Sequence, residues 1–298
     1  MTAALRRHYA KLCDRRDFDD PELLAVLRAI LPERDPLEHI ERKVWEFAML
    51  ALFLEETGHL DDRSEALAIG AGDERMVFWL ANRMRRVVAT DIYGLGGFAD
   101  REAESSMLDD PAAHAPFPYR EDHLEVHWMD ARQLNFPDES FDVVFSLSSI
   151  EHFGSPRDIA QSAREMARVL RPGGHALVVT ECFVHRDPLN AAFVDFAVRA
   201  LTLGRKRRIA TPRRRAVVSE VFTARELMER VVEPSGLELM QPLDLSLSPE
   251  TWDNLTTSLP GGGLVPATGQ FYPHLLLRSD RSVSVSYTHL TLPTILLV

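Results

Sequence analysis

From residue 64 onward the chain alternates short apolar runs with amphipathic stretches, and no other feature constrains its fold so strongly. The runs at 66–69, 86–90, 124–128, 141–145 and 176–180 read as strands. Between them lie segments with apolar residues at helical spacing. One is 73–84, where Val77, Leu80 and Ala81 share a side, and another is 155–170. Strand and helix in regular succession is the pattern of a parallel sheet joined by crossover helices. The expected fold is therefore α/β, with a doubly wound, mostly parallel sheet.

Local signals place the boundaries. Ser155 is an N-cap, with Pro156 at the first helical position and Asp158 in the first turn, and Pro172-Gly173-Gly174 stops the helix. Thr223 and Glu226 form a capping box that opens a helix to Val232, and 236–240 returns as a strand. The segments 94–122 and 242–269 break the alternation and read as surface structure, the first beside the site. The first 60 residues read as helical. Pro21 opens one helix, and 40–56 carries Val44, Trp45, Phe47, Leu50 and Leu54 at helical spacing before Gly58 ends it.

Three regions follow: a helical extension over 1–60, the main domain over 61–284, and a tail over 285–298. The tail resembles translated sequencing-library adapter, so it is expected to be a fusion scar that leaves the native C-terminus missing. The other reading is an edge strand rich in Thr, Leu and Val.

Acidic residues outnumber basic ones, 45 to 34, for a net charge of −11, which argues against a general nucleic-acid binder. Cys13 and Cys182 are too few and too far apart for a disulfide framework or a zinc site. The most apolar stretch, 44–54, is broken by Glu46 and falls short of the ~20 residues a membrane span needs. No signal peptide is evident, and a cytoplasmic location is expected.

Gly70-Ala71-Gly72 follows a strand and opens a helix, where α/β folds receive nucleotide-like ligands. Asp91 ends the next strand, 21 residues on from Gly70, and its carboxylate can accept both hydroxyls of a ribose. Dinucleotide-binding enzymes share this pair, and a plain strand-to-helix turn with an Asp cap would also produce it. Further on, Asp130-Ala-Arg-Gln-Leu134, the run 136–145, Ser148-Ser-Ile-Glu-His152 and Arg168-Val-Leu-Arg-Pro-Gly-Gly174 appear in order. Together these motifs resemble the class I S-adenosylmethionine-dependent methyltransferases, specifically their small-molecule branch, from about residue 67 to 181.

The resemblance implies a Rossmann-like sheet of seven strands and the cofactor S-adenosyl-L-methionine. It implies that Gly70, Ala71 and Gly72 pass beneath the methionine part. Asp91 would bind the ribose, Ile92 would pack on the adenine, Asp130 and the Ala131 backbone would read its edge, and Ser146 would line the methionine end. Two positions depart from the family. Ala68 stands where an acidic residue is common, and Glu74 stands where a third glycine is common.

Methyl transfer from a sulfonium needs alignment and a dry site more than it needs a base. Glu151 and His152 follow the fourth strand on the acceptor side, and His152 is the candidate base. The preferred reading of His152 is that it hydrogen-bonds locally and shapes the pocket wall. The basic run within 205–215, following an apolar helix at 191–203, could hold a phosphorylated acceptor or touch anionic lipid, or it is a solvated loop. Trp45 and Phe47 either close over the cofactor or, as preferred, pack in the core.

The expected function is methyl transfer to a small-molecule or glycan- or lipid-linked acceptor. The rivals are a catalytically silent relative that binds cofactor or partner, and a nicotinamide-dependent oxidoreductase. The motifs at 136–145 and 168–174 disfavour the oxidoreductase.

Overall fold

The computed structural model describes residues 5–37, 42–100, 102–182, 222–254, 256–258, 264–266 and 294–297. Five strands run parallel: β1 (Glu65–Ile69), β2 (Arg86–Asp91), β3 (Leu124–Trp128), β4 (Phe141–Leu147) and β5 (Leu170–Glu181). Their spatial order is β3-β2-β1-β4-β5, so the order reverses beside β1 and opens a crevice at the carboxyl ends of β1 and β4.

The strands bury both faces with a period of two. Ala66, Ala68, Val87, Ala89, Val143, Phe145, Leu177 and Val179 join one apolar cluster. Leu67, Ile69, Val88, Val144 and Val178 join another on the opposite face. Helices α1 (Pro21–Ile30), α2 (Arg42–Thr57) and α3 (Arg75–Ala81) cover the first face. Two short helices, α4 (Ser106–Asp109) and α5 (Pro111–His114), follow between β2 and β3. The second face is covered by α6 (Pro156–Val169), α7 (Ala224–Leu227), a π turn over Met228–Val232, and α8 (Glu233–Ser235). All residues from Val44 to Leu54 of α2 are buried, so this helix is a layer of the core and not an appendage.

The expected caps form. Ser155 with Asp158, and Thr223 with Glu226, both make reciprocal capping boxes. Among the described residues the sheet has six strands. The sixth is β8 (Thr294–Leu297), preceded in the chain by a small antiparallel pair, β6 (Thr256–Ser258) and β7 (Leu264–Pro266). Strand β8 lies within the adapter-like tail and runs antiparallel along β5, with Val178 opposite Leu297. An open edge pairs through backbone groups alone, so any extended segment can occupy it.

The segment 236–240 is not a strand. Its Leu237 and Leu239 pack as side chains against the second cluster without joining a ladder. The segment 242–254 is more than a surface loop. Asp244 bridges to Lys11, Ser248 donates to the Asp14 carboxylate at 2.8 Å, and α9 (Pro249–Asn254) follows. The apolar helix and basic run expected at 191–215 lie outside the described residues. Among the described residues no helix is long and apolar enough to cross a membrane.

The conspicuous Arg168 has a structural role. Its guanidinium donates to the carbonyls of Phe136 (2.8 Å) and Leu134 (2.9 Å) and to the Glu165 carboxylate (2.7 Å). It thereby pins the β3–β4 connection onto α6. A fork of fixed donors suits two carbonyls and a carboxylate, and an ammonium cannot span them. Arg168→Ala is expected to lower the unfolding free energy by about 1–3 kcal/mol in urea titration. Arg168→Lys should recover less than half of that loss, and full recovery by lysine would show that charge alone matters.

Candidate functional site

The turn after β1 is drawn tight by its neighbours. The N–H groups of Gly70 and Ala71 both donate to the Thr90 carbonyl, at 2.9 and 3.1 Å. The Gly72 N–H donates to Asp91 Oδ2 at 2.9 Å, and Asp91 Oδ1 accepts from the Ile92 N–H at 2.7 Å. Tyr93, buried, donates its hydroxyl to the Gly72 carbonyl at 2.9 Å. The carboxylate at the end of β2 therefore braces the turn at the end of β1, and each of its oxygens keeps lone-pair capacity for a further donor. Burial pushes the Asp91 pKa up, against the two N–H groups that favour its anion.

The glycines are required here. Gly70 (φ +66°) and Gly72 (φ +49°) sit in the left-handed region. A Cβ on Gly70 would lie 2.5 Å from Ser149 Cβ, and one on Gly72 would lie 2.3 Å from the Glu102 carbonyl oxygen. Glu102 belongs to the 94–122 segment, which closes on the turn through the Asp73 N–H to Glu102 carbonyl bond at 2.8 Å.

Asp130 stands one strand further over. The Met129 N–H donates to the Asp91 carbonyl at 2.9 Å, which brings the ends of β2 and β3 together. The Asp130 carboxylate is partly exposed and takes the Arg132 guanidinium, which also reaches Asp158 at 3.3 Å. Ile92 and Ala131 are half-buried on the same rim. Ser146 is 1% exposed, and its hydroxyl finds no partner among the described residues. His152 is exposed, with its ring edge-on to Phe98 at 4.8 Å between centroids. Trp45 lies in the core with its N–H donated to Asp17 at 2.8 Å, and Phe47 is buried beside it.

Sequence reasoning passed over a charged network at the carboxyl ends of β1, β4 and β5. From α2, Arg42 pairs with Glu46 (2.9 Å) and Glu181, and Lys43 pairs with Glu74 and Glu46 (3.3 Å). Glu46 is fully buried and accepts from the Ser148 hydroxyl at 2.7 Å. Ser148 has φ +52°, a left-handed conformation that costs a non-glycine residue roughly 1–2 kcal/mol. Glu151, 2% exposed, accepts from Thr180 at 2.8 Å, while its other oxygen is unpartnered among the described residues. The available signal was Glu46 itself, a carboxylate interrupting an apolar run.

Burial, reinforced by the Glu181 charge, pushes the Glu151 pKa up to about 8. Burial also pushes Glu74 up to about 7, against the pull of Lys43. No group of three or more potential metal ligands occurs among the described residues.

The family model of a methyltransferase domain matches residues 67–178. The 27-O-demethylrifamycin SV methyltransferase of Amycolatopsis mediterranei is 32% identical over 141 residues, 46% of this chain and 49% of that protein. The phosphatidylethanolamine N-methyltransferase of Cereibacter sphaeroides is 38% identical over 80 residues, 27% of this chain and 38% of that protein. The chain thus spans about half, or less, of the length of these relatives. Among solved structures, the YcgJ protein of Bacillus subtilis is 24% identical and aligns over 50% of this chain and 57% of its own, at a TM-score of 0.36.

Two measurements check the site's construction. Gly72→Ala should cost at least about 2 kcal/mol in urea, since it adds a backbone clash to the left-handed strain. Gly58→Ala, at φ +77° with nothing within 4 Å, should cost only about 1 kcal/mol. Equal losses would remove the close approach as an explanation. For Glu151, the folded protein keeps a proton that the unfolded chain releases near its ordinary 4.5. Ionisation then opposes folding, and the stability this group lends is lost as pH rises from about 4.5 through about 8. Glu151→Gln should flatten that decline and exceed the parent by about 1 kcal/mol or more at pH 8, measured in urea at pH 5.5 and 8. An offset that is the same at both pH values would contradict the assignment.

Proposed function

We propose that residues 67–178, which match the model of a methyltransferase domain, form a class I S-adenosylmethionine-dependent domain, and that the chain transfers a methyl group from S-adenosylmethionine to a small-molecule acceptor. The observation that carries this reading is the braced turn: a glycine pair in left-handed conformation, held by the carboxylate of Asp91 at the sheet's switch point. The residues present suit the cofactor. Gly70 and Gly72 let the turn after β1 stay tight beneath the methionine part, with Ser149 and Glu102 packed against it. Asp91 offers acceptor capacity to the ribose hydroxyls, and Ile92 offers an apolar face to the adenine. Asp130 and the Ala131 backbone stand on the adenine rim, and Ser146 brings a buried hydroxyl to the methionine end.

When bound, the cofactor supplies an electrophilic methyl on a sulfonium. The chain's residues orient it against the acceptor and exclude water, and the enclosing α2 and the 94–122 segment serve that exclusion. His152, exposed with its ring edge-on to Phe98, shapes the acceptor side. The acceptor class is narrowed only by analogy. One relative is named for a rifamycin and another for a phospholipid, so glycan- or lipid-linked acceptors stand beside small molecules.

Asp91→Ala should weaken S-adenosylhomocysteine binding by roughly 1–3 kcal/mol in calorimetry, having lost a partner for two hydroxyls. A dissociation constant within twofold of the parent's would remove Asp91 from the ribose site.

A further inference from the structure

Helix α2 lies outside the matched segment 67–178, yet its Lys43 reaches into the crevice. Its ammonium pairs with Glu74, two residues past Gly72, and approaches the Leu147 carbonyl at 3.4 Å, at the end of β4. It therefore bridges the turn after β1 and the end of β4, the two walls of the switch-point crevice. The same ammonium also lies 3.3 Å from Oε2 of the buried Glu46, so the cation faces two carboxylates at the mouth of the crevice.

A cation and an anion side by side are complementary to a zwitterion laid antiparallel to them. Neither partner is left with an uncompensated charge before or after such a ligand arrives, which avoids the main cost of burying ions. We propose that Lys43 and Glu74 recognise the amino-acid end of S-adenosylmethionine, Lys43 taking its carboxylate and Glu74 its ammonium, so that α2 forms a wall of the cofactor site. This rests on the cofactor reading above.

Three nucleosides separate the parts: S-adenosylhomocysteine, with both charges; S-adenosyl-3-thiopropylamine, with the ammonium alone; and 5′-methylthioadenosine, with neither. Calorimetry on the full chain should show the parent binding S-adenosylhomocysteine at least tenfold more tightly than methylthioadenosine. Lys43→Ala should weaken S-adenosylhomocysteine at least tenfold and leave the other two within twofold. Glu74→Gln should weaken both amine-bearing ligands at least fivefold and spare methylthioadenosine. Lys43→Arg should keep S-adenosylhomocysteine within threefold, and Lys43→Gln replaces the alanine variant if that one does not fold. Equal weakening of all three ligands, or of none, overturns the proposal, as does a parent that does not discriminate between them. A parent that binds none of the three overturns the cofactor reading itself.

Discussion

A parallel sheet buries both of its faces, and the rest of this structure answers to that constraint. Helices α6 to α8 cover one face from the sequence that follows β4 and β5. On the other face α3 alone is too short, and the chain supplies α1 and α2 from before the sheet begins. A helix sandwiched between the sheet and α1 is apolar nearly all round, which is why α2 is buried from Val44 to Leu54. Its amino-terminal end, however, lies over the carboxyl ends of the strands, where backbone and ligands are polar. Arg42, Lys43 and Glu46 are the consequence: charges on a core helix, matched to carboxylates and a hydroxyl at the strand ends.

Much of this was legible in the sequence, and the reasons differ by element. The five parallel strands were readable because a strand buried on both faces is a short apolar run. The helix starts at Pro156 and Ala224 were readable because capping is local chemistry. The strand expected at 236–240 failed because its spaced leucines also suit a segment that only lays side chains on a helical layer, and pairing is a tertiary fact.

The site divides in the same way. Gly72 and Asp91 were both singled out from the sequence, as separate cofactor contacts; the hydrogen bond that joins them was not, because it is made between two strand ends. The ion pairs of α2 join Arg42 to Glu181 and Lys43 to Glu74, and a hydrogen bond joins Glu46 to Ser148. No periodicity carries a contact across such separations. Ser148 is the same case, since its left-handed backbone follows from bonds to Val179 and Glu46, not from its own propensity.

The carboxylates near the crevice also bear on the chemistry proposed. Methyl transfer from a sulfonium disperses positive charge, so fixed negative charge beside the sulfur would favour the reactant over the transition state. Four buried or mostly buried carboxyls, Glu46, Glu74, Glu151 and Glu181, gather around only two cations, Arg42 and Lys43. Left fully ionised, they would act against the reaction. Burial removes part of that excess at Glu151, whose pKa it raises to about 8, while Glu74 stays paired with Lys43. In the proposed reaction the same low-polarity surroundings would both keep water from the sulfur and quench charge that would slow the transfer. On this account the apolar enclosure by α2 and the protonation of Glu151 have one cause, the burial of the strand ends beneath that helix.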